Sequence, residues 1–275
     1  MKRVFTILFF IILGVIGLTG ILATYIAMRS MPTYTTQKIP VKVTTSPERI
    51  ARGTKLASML CRSCHYSDIT QKFTGKELKE APQFGKIYSA NITQDTLAGI
   101  GGWTDGELLY LIRTGIRKDG RYIPPYMPKL VNLSDEDLQS IIAFLRSDNV
   151  WVQPDNTRQP GSEPSFLAKF LVTIRAFKPF PYPKQVIPAP DTANQVTWGK
   201  YISCYELECF ACHSKDFAKN DYGNPERSKG FFAGGNKMYT DEGKEILTLN
   251  ITMDTKTGIG TWSEEDFIKA VKTGQ

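Results

Sequence analysis

The sequence predicts a helical chain in which a membrane-spanning helix precedes two copies of one module, the second incomplete. Three observations carry that expectation. Residues 4–28 form a run of 25 positions without a formal charge. Residues 91–115, NITQDTLAGIGGWTDGELLYLIRTG, and 250–274, NITMDTKTGIGTWSEEDFIKAVKTG, share eleven of 25 positions at a fixed offset of 159 with no gap. Chance does not produce such a match, so the two stretches are copies of one unit. Around them, helical patterns recur between glycine-rich turns, with one stretch dense in proline.

A bilayer core takes about 20 apolar residues as helix, so the uncharged run spans it with some tilt. Lys2 and Arg3 precede the run and hold that end in the cytoplasm, leaving everything after Met28 on the periplasmic face of the inner membrane. A signal peptide has a shorter apolar core and a small-x-small cleavage site. Ala23-Thr24-Tyr25 matches that site poorly, and the first cysteine is Cys61, too late for a lipid anchor. Residues 1–29 are therefore expected to be an uncleaved anchor. A cleaved export signal is the alternative, and it leaves the rest of the chain in the same compartment.

Residues 30–46 are polar, contain Pro32 and Pro40, and read as an extended tether. Residues 47–150 hold the first module. Eight of the sixteen prolines then fall from Pro154 to Pro190, marking 151–192 as a connection. Within it Ser162 is a candidate cap for a short helix carrying Phe166, Leu167, Phe170, Leu171, Ile174 and Phe177 on one face. Packing on a neighbouring domain is the plainer reading of that face. Lys169, Arg175 and Lys178 leave open a helix lying on the membrane surface. Residues 193–275 hold the second module. In each copy of the repeat a turn-rich run ends at Trp103 or Trp262, and a helix follows. Thr104 with Glu107 forms a capping box, and Ser263 with Asp266 resembles one. Gly115 and Gly274 stand where a C-cap belongs.

Lys+Arg exceed Asp+Glu by only 34 to 27, and three of the cations (Lys2, Arg3 and Arg29) flank the apolar run. No nucleic-acid footprint remains. Aromatics at 11% and hydrophobics at 41% exclude a disordered chain. The chain has two histidines, which excludes a zinc site built from several imidazoles and all but excludes a Ser-His-Asp triad. Both lie in one pattern, Cys61-Arg62-Ser63-Cys64-His65 and Cys209-Phe210-Ala211-Cys212-His213, each upstream of a repeat. C-x-x-C-H is the attachment signal of a c-type haem. Two thiols about one helical turn apart reach the two vinyl groups of one porphyrin, and the adjacent imidazole points at the iron. A thioredoxin-like C-x-x-C needs a strand-rich setting that nothing here supplies. Four cysteines holding zinc would leave both trailing histidines to coincidence. The expectation is two covalent c-type haems, with His65 and His213 as proximal iron ligands.

These residues and the N-I-T-x-D-x-x-x-G-I-G-x-W run resemble class I c-type cytochromes. The likeness is to the tandem di-haem kind found as cytochrome subunits of bacterial membrane-bound alcohol and aldehyde dehydrogenases. It covers residues 47–150 and 193–275 and implies an all-α fold for each domain. In the first, Leu56 to Leu60 leads into the haem motif, and Ser134 caps a closing helix that runs to Ser147. The resemblance also implies a distal methionine in a proline-bounded loop before that helix, and Pro124-Pro125-Tyr126-Met127-Pro128 places Met127 there. With both histidines used proximally, bis-histidine ligation within one chain is impossible, and His/Met ligation favours ferrous iron. Were Met127 not the ligand, Lys129 on the same loop would be the first candidate.

The second module departs from the pattern. Its counterpart of Met127 would fall at position 286, eleven residues past Gln275, so its sixth ligand is expected beyond the chain given. His213 to Asn250 spans 37 residues where His65 to Asn91 spans 26. The extra length lies in 219–237, read as a surface loop, with partner docking as the alternative. Cys204 has no thiol left to pair with and reads as buried and inert. The function expected is one-electron transfer between a periplasmic-side donor and a respiratory acceptor. Redox proteins (a dehydrogenase, a quinol-oxidising complex or a terminal oxidase) are the expected partners. The alternative is a haem enzyme, a peroxidase or small-molecule oxidase, using an open distal site on the second haem.

Overall fold

In the computed structural model, residues 2–79, 82–239 and 244–274 are described, and they form two compact units. One comprises Met1–Lys129 with Asp135–Val186, and the other Leu130–Ser134 with Ile187–Gln275.

The first unit begins with α1 (Lys2–Met28), the one described helix long and apolar enough to cross a membrane. Its hydroxyls are satisfied within the helix, Thr24 donating to the Gly20 carbonyl at 2.9 Å and Thr6 to that of Lys2 at 3.1 Å. The polar segment that follows is extended but not free. Tyr34 N–H donates to the Gly120 carbonyl at 2.8 Å, and Val43 N–H to Asp105 Oδ2 at 2.9 Å. Gly106 lies so close that a Cβ there would sit 2.0 Å from the Ile39 carbonyl oxygen. The stretch read as a tether is a strap bound along this unit. A polar, proline-marked sequence cannot form regular structure of its own, but it can lend its backbone to a neighbour's turns.

Ser46 caps α2 (Pro47–Leu60), accepting from Arg49 N–H at 3.2 Å, with Pro47 at the first position, where it lacks nothing the helix needs. A short α3 (Arg62–His65) follows after Cys61. Next come β1 (Gly85–Lys86), α4 (Asp105–Thr114) and α5 (Asp135–Leu145), which starts directly after Ser134 and stops two residues short of Ser147. α2 crosses α5 at Gly53, where a Cβ would collide with the Ser140 carbonyl. Only glycine permits that approach. Arg52 grips Asp137 with two bonds, at 2.7 and 2.9 Å, beside the crossing. Leu56, Leu138, Ile141, Ile142 and Phe144 fill the contact, and Phe73 stacks on Trp151 at 5.5 Å between ring centroids.

The short helix in the connection is α6 (Phe166–Thr173), and its cap is Ser165, not Ser162. Pro164 disfavours helical backbone at Glu163. Glu163 and Pro164 instead form β2 (Glu163–Pro164), antiparallel to β1, and Ser162 Oγ accepts from Tyr88 N–H at 2.9 Å.

The second unit holds α7 (Gln195–Tyr201), a π-turn over Ile202–Glu206, α8 (Cys209–His213), β3 (Lys237–Tyr239), β4 (Glu245–Leu247) and α9 (Glu264–Thr273). Among the described residues the ribbons β1–β2 and β3–β4, each at most three residues per strand, and a few isolated bridges depart from an all-helical expectation. Cys204 is buried in the π-turn. The long 219–237 insertion folds back on α8: Asn220 Nδ2 donates to the Ala211 carbonyl at 2.8 Å, and Tyr222 packs edge-on to Phe210.

Candidate haem sites

The end of α2 aims the first cysteine motif. Cys61 N–H closes α2 on the Ala57 carbonyl at 3.0 Å, and the amides of Cys64 and His65 turn back to the Cys61 carbonyl at 3.2 and 2.9 Å. Cys61, Cys64 and His65 are thereby brought together on one turn, with both thiols free. Burial pushes the Cys61 thiol up to about 12. His65 Nδ1 meets the Ala90 carbonyl oxygen at 2.7 Å. A carbonyl accepts only, so Nδ1 carries the proton and Nε2 keeps its lone pair for a metal. Burial lowers the His65 pKa, which favours the neutral ring that ligation requires.

The second motif repeats this arrangement. α8 carries Cys209, Cys212 and His213, and His213 Nδ1 meets the Leu249 carbonyl oxygen at 2.9 Å. Ala90 and Leu249 both directly precede the N-I-T run and differ by the repeat offset of 159, whereas His65 and His213 differ by 148. The eleven additional residues are looped out between histidine and acceptor, and the bond is kept. Two further contacts match. Gly75 N–H donates to the His65 carbonyl at 2.9 Å and Gly234 N–H to that of His213 at 2.8 Å, both glycines at positive φ (84° and 68°). The duplicated unit therefore reaches back to Phe73-Thr74-Gly75 and Phe232-Ala233-Gly234, further than the sequence match showed.

Met127 comes from elsewhere, on the loop between α4 and α5, and is half-buried. Pro124, Pro125 and Pro128 have no N–H to give, so the loop cannot brace itself by backbone bonds alone. Lys129 supplies the donors: its Nζ reaches the carbonyls of Pro124 at 2.7 Å and Met127 at 2.5 Å, and lies 5.5 Å from the Tyr122 ring centroid. Its amine is engaged as a strut between those two carbonyls, and the Met127 thioether lies on the loop it braces. Neither this strut nor the two histidine acceptors is legible in the sequence. An alanine and a leucine acting through their carbonyls leave no side-chain signature, and only their fixed distance from the repeat could have marked them.

The donor sets suit a c-type haem: paired thiols one turn apart and an imidazole with its outer nitrogen bare. A haem bound there supplies a one-electron iron couple. The chain's contribution is to fix ring orientation through Ala90 and Leu249 and to hold the Met127 loop through Lys129.

Residues 50–148 match the cytochrome c family. The cytochrome c subunit of a quinone-dependent alcohol dehydrogenase from Gluconacetobacter polyoxogenes is 31% identical over 222 residues, 78% of this chain and 45% of that one. Its counterpart in Gluconobacter oxydans is 32% identical over 235 residues, 82% of this chain and 47% of that one. The fructose dehydrogenase cytochrome subunit of Gluconobacter japonicus is 28% identical over 237 residues, 82% of this chain and 45% of that one. The chain spans about half the length of these relatives. Residues 50–148 are thus a cytochrome c family domain, which implies covalently bound c-type haem, within a chain homologous to cytochrome c subunits of dehydrogenases.

Proposed function

We propose that the chain is a membrane-anchored di-haem cytochrome c that carries single electrons and performs no substrate chemistry of its own. Cys61 and Cys64 would hold one haem, with His65 and Met127 on its iron. Cys209 and Cys212 would hold the other, with His213 as proximal ligand. The observation that carries this reading is the pair of histidine–carbonyl bonds, His65 to Ala90 and His213 to Leu249, kept despite unequal spacing. The relatives' names make a dehydrogenase the favoured electron donor, with a quinol-oxidising complex or terminal oxidase downstream. The domains are 1–29 anchor, 30–46 strap, 47–150 first haem domain, 151–192 connection and 193–275 second. α1 would fix both haem domains to the periplasmic face of the inner membrane and so raise their effective concentration near membrane partners.

The test is the intact mass of the purified chain. Two haem increments are expected, surviving denaturation and acid-acetone extraction, and Cys64→Ala should remove one and leave the other. A wild-type mass with a single increment would refute the second site.

A further inference from the structure

Within the first unit, α6 is held against the end of α1. Ile26 is 2% exposed, the one described buried residue of a helix that is otherwise open along its length. Lys169 Nζ donates to the Ala27 carbonyl at 2.6 Å. That carbonyl belongs to the last turn of α1, where intrahelical partners run out. Ala168 and Val172, one turn apart, are buried on the inner side of α6.

The outer side is apolar as well. At about 100° per residue, Phe166, Phe170 and Ile174 lie opposite Ala168 and Val172, with Leu167 beside them. Phe166, Leu167 and Ile174 are 48%, 42% and 54% exposed. Phe166 and Phe170 stack at 6.3 Å, which presents one continuous aromatic surface. Residues 164–180 contain three cations, Lys169, Arg175 and Lys178, and no acid. Arg29 adds a fourth, its guanidinium 5.7 Å from the Tyr25 ring centroid.

The anchor sets the level of this surface. The 27 residues of α1 extend about 40 Å, against a hydrocarbon core of about 30 Å, so its last turns emerge among the headgroups. Tyr25 and Arg29 are the residue types that settle there. An apolar helix face rimmed by cations and fixed at that depth has the composition of an interfacial helix. We infer that α6 lies in the outer-leaflet surface, with Phe166, Leu167, Phe170 and Ile174 among the acyl chains and Arg175 and Lys178 among anionic headgroups. The inference rests on reading α1 as a membrane anchor. It gives the first haem domain a second point of attachment, so that the domain is held in one orientation and cannot swing about a single helix.

The test places a photoreactive benzoylphenylalanine, in separate full-length haem-loaded chains, at Phe166, at Phe10 within α1, and at Ile69, which is 96% exposed. Each chain is reconstituted in nanodiscs of phosphatidylethanolamine and phosphatidylglycerol, and adducts are identified by mass. Lipid adducts at Phe10 and Phe166 with none at Ile69 are expected. Lipid at Phe10 and none at Phe166 would overturn the inference while leaving the anchor intact. None at either would overturn both. In native membranes, a protein adduct replacing lipid at Phe166 would assign the face to a partner subunit and refute the lipid contact.

Discussion

In the first copy of the repeat, Asn91 Oδ1 accepts from the N–H and hydroxyl of Thr93 at 2.8 and 2.7 Å. In the second, Asn250 does the same for Thr252 at 2.9 and 2.7 Å. Ile100 and Ile259 donate back to Thr93 and Thr252, both at 2.8 Å, and the following helices end on left-handed Gly115 (φ 81°) and Gly274 (φ 74°). Locally the copies are the same object. Their burial differs. α4 packs under α5 and buries Leu108, Leu109 and Tyr110, whereas no described side chain of α9 is buried. Trp103 is 9% exposed and Trp262 44%. Short-range hydrogen bonds set the conformation of this unit in both copies, while the packing over it differs between the described residues of the two. The two contributions are separable in one molecule.

The largest expected effect concerns the Met127 loop of the first unit. Under the proposed ligation, Met127→Ala removes the distal thioether, and with it stabilisation of ferrous iron. The potential of that haem should fall by tenths of a volt, within the ≈0.8 V range over which axial ligands act. Its iron should also bind carbon monoxide. Redox titration with carbon monoxide difference spectra checks this, and the second haem should not respond. An unchanged potential with no carbon monoxide binding would show that another group holds the iron.

Next comes the tryptophan pair. Trp103→Ala should cost about 3–5 kcal/mol, the usual figure for a buried aromatic. It also abandons the Arg117 and Lys118 groups, 5.4 and 5.1 Å from its ring centroid. Tested on residues 1–275 alone, Trp262→Ala should cost less than about 2 kcal/mol, because nearly half of that ring faces solvent there. Hydrogen exchange resolved by unit separates the two. Equal losses would mean that Trp262 is covered in the working protein.

A third difference lies beside the cysteines. Leu60 precedes the first motif and Glu208 the second. Burial pushes the Glu208 carboxyl from 4.5 up to about 8. Between those values the folded state holds a proton that the unfolded state has released, so stability of the second unit falls as pH rises from about 4.5 to about 8. Glu208→Gln should flatten that slope, with a gain at pH 8 above the ~1.4 kcal/mol of one pKa unit. Urea unfolding at pH 5 and pH 8 measures it, and the first unit is the internal control. An unaltered slope would mean that Glu208 is solvated.

The split between local and distant causes also decides what could be read from the residues alone. The long apolar helix α1, the repeat, both capping boxes and both cysteine motifs are encoded by residues close in the chain, and each of these elements lies where its residues indicate. The strap at 30–46, the β1–β2 pair that displaces Ser162 from its cap, and the Lys129 strut depend on partners brought close only by folding. Ser162 shows the limit plainly. A serine ahead of an apolar run is a sound cap signal, yet Pro164 and a strand partner some 80 residues upstream in β1 outweigh it.

The smallest effect is the sharpest test of the comparison. Thr104 accepts from Glu107 N–H at 3.2 Å while Glu107 Oε2 accepts from Thr104 N–H at 2.8 Å; Ser263 and Asp266 make the same exchange at 3.1 and 3.0 Å. Both boxes satisfy first-turn amides that no tertiary contact replaces. Thr104→Ala and Ser263→Ala should therefore each cost about 1 kcal/mol, although one helix is buried and the other open. Exchange rates of the first-turn amides of α4 and α9 give the two values directly. If the Thr104 loss were several-fold larger, packing would be reinforcing the cap, and the division into local form and distant stability would fail at this site. Equal losses in the face of unequal tryptophan losses would show that the duplicated stretch carries its own conformation wherever it is placed, and takes its stability from its surroundings.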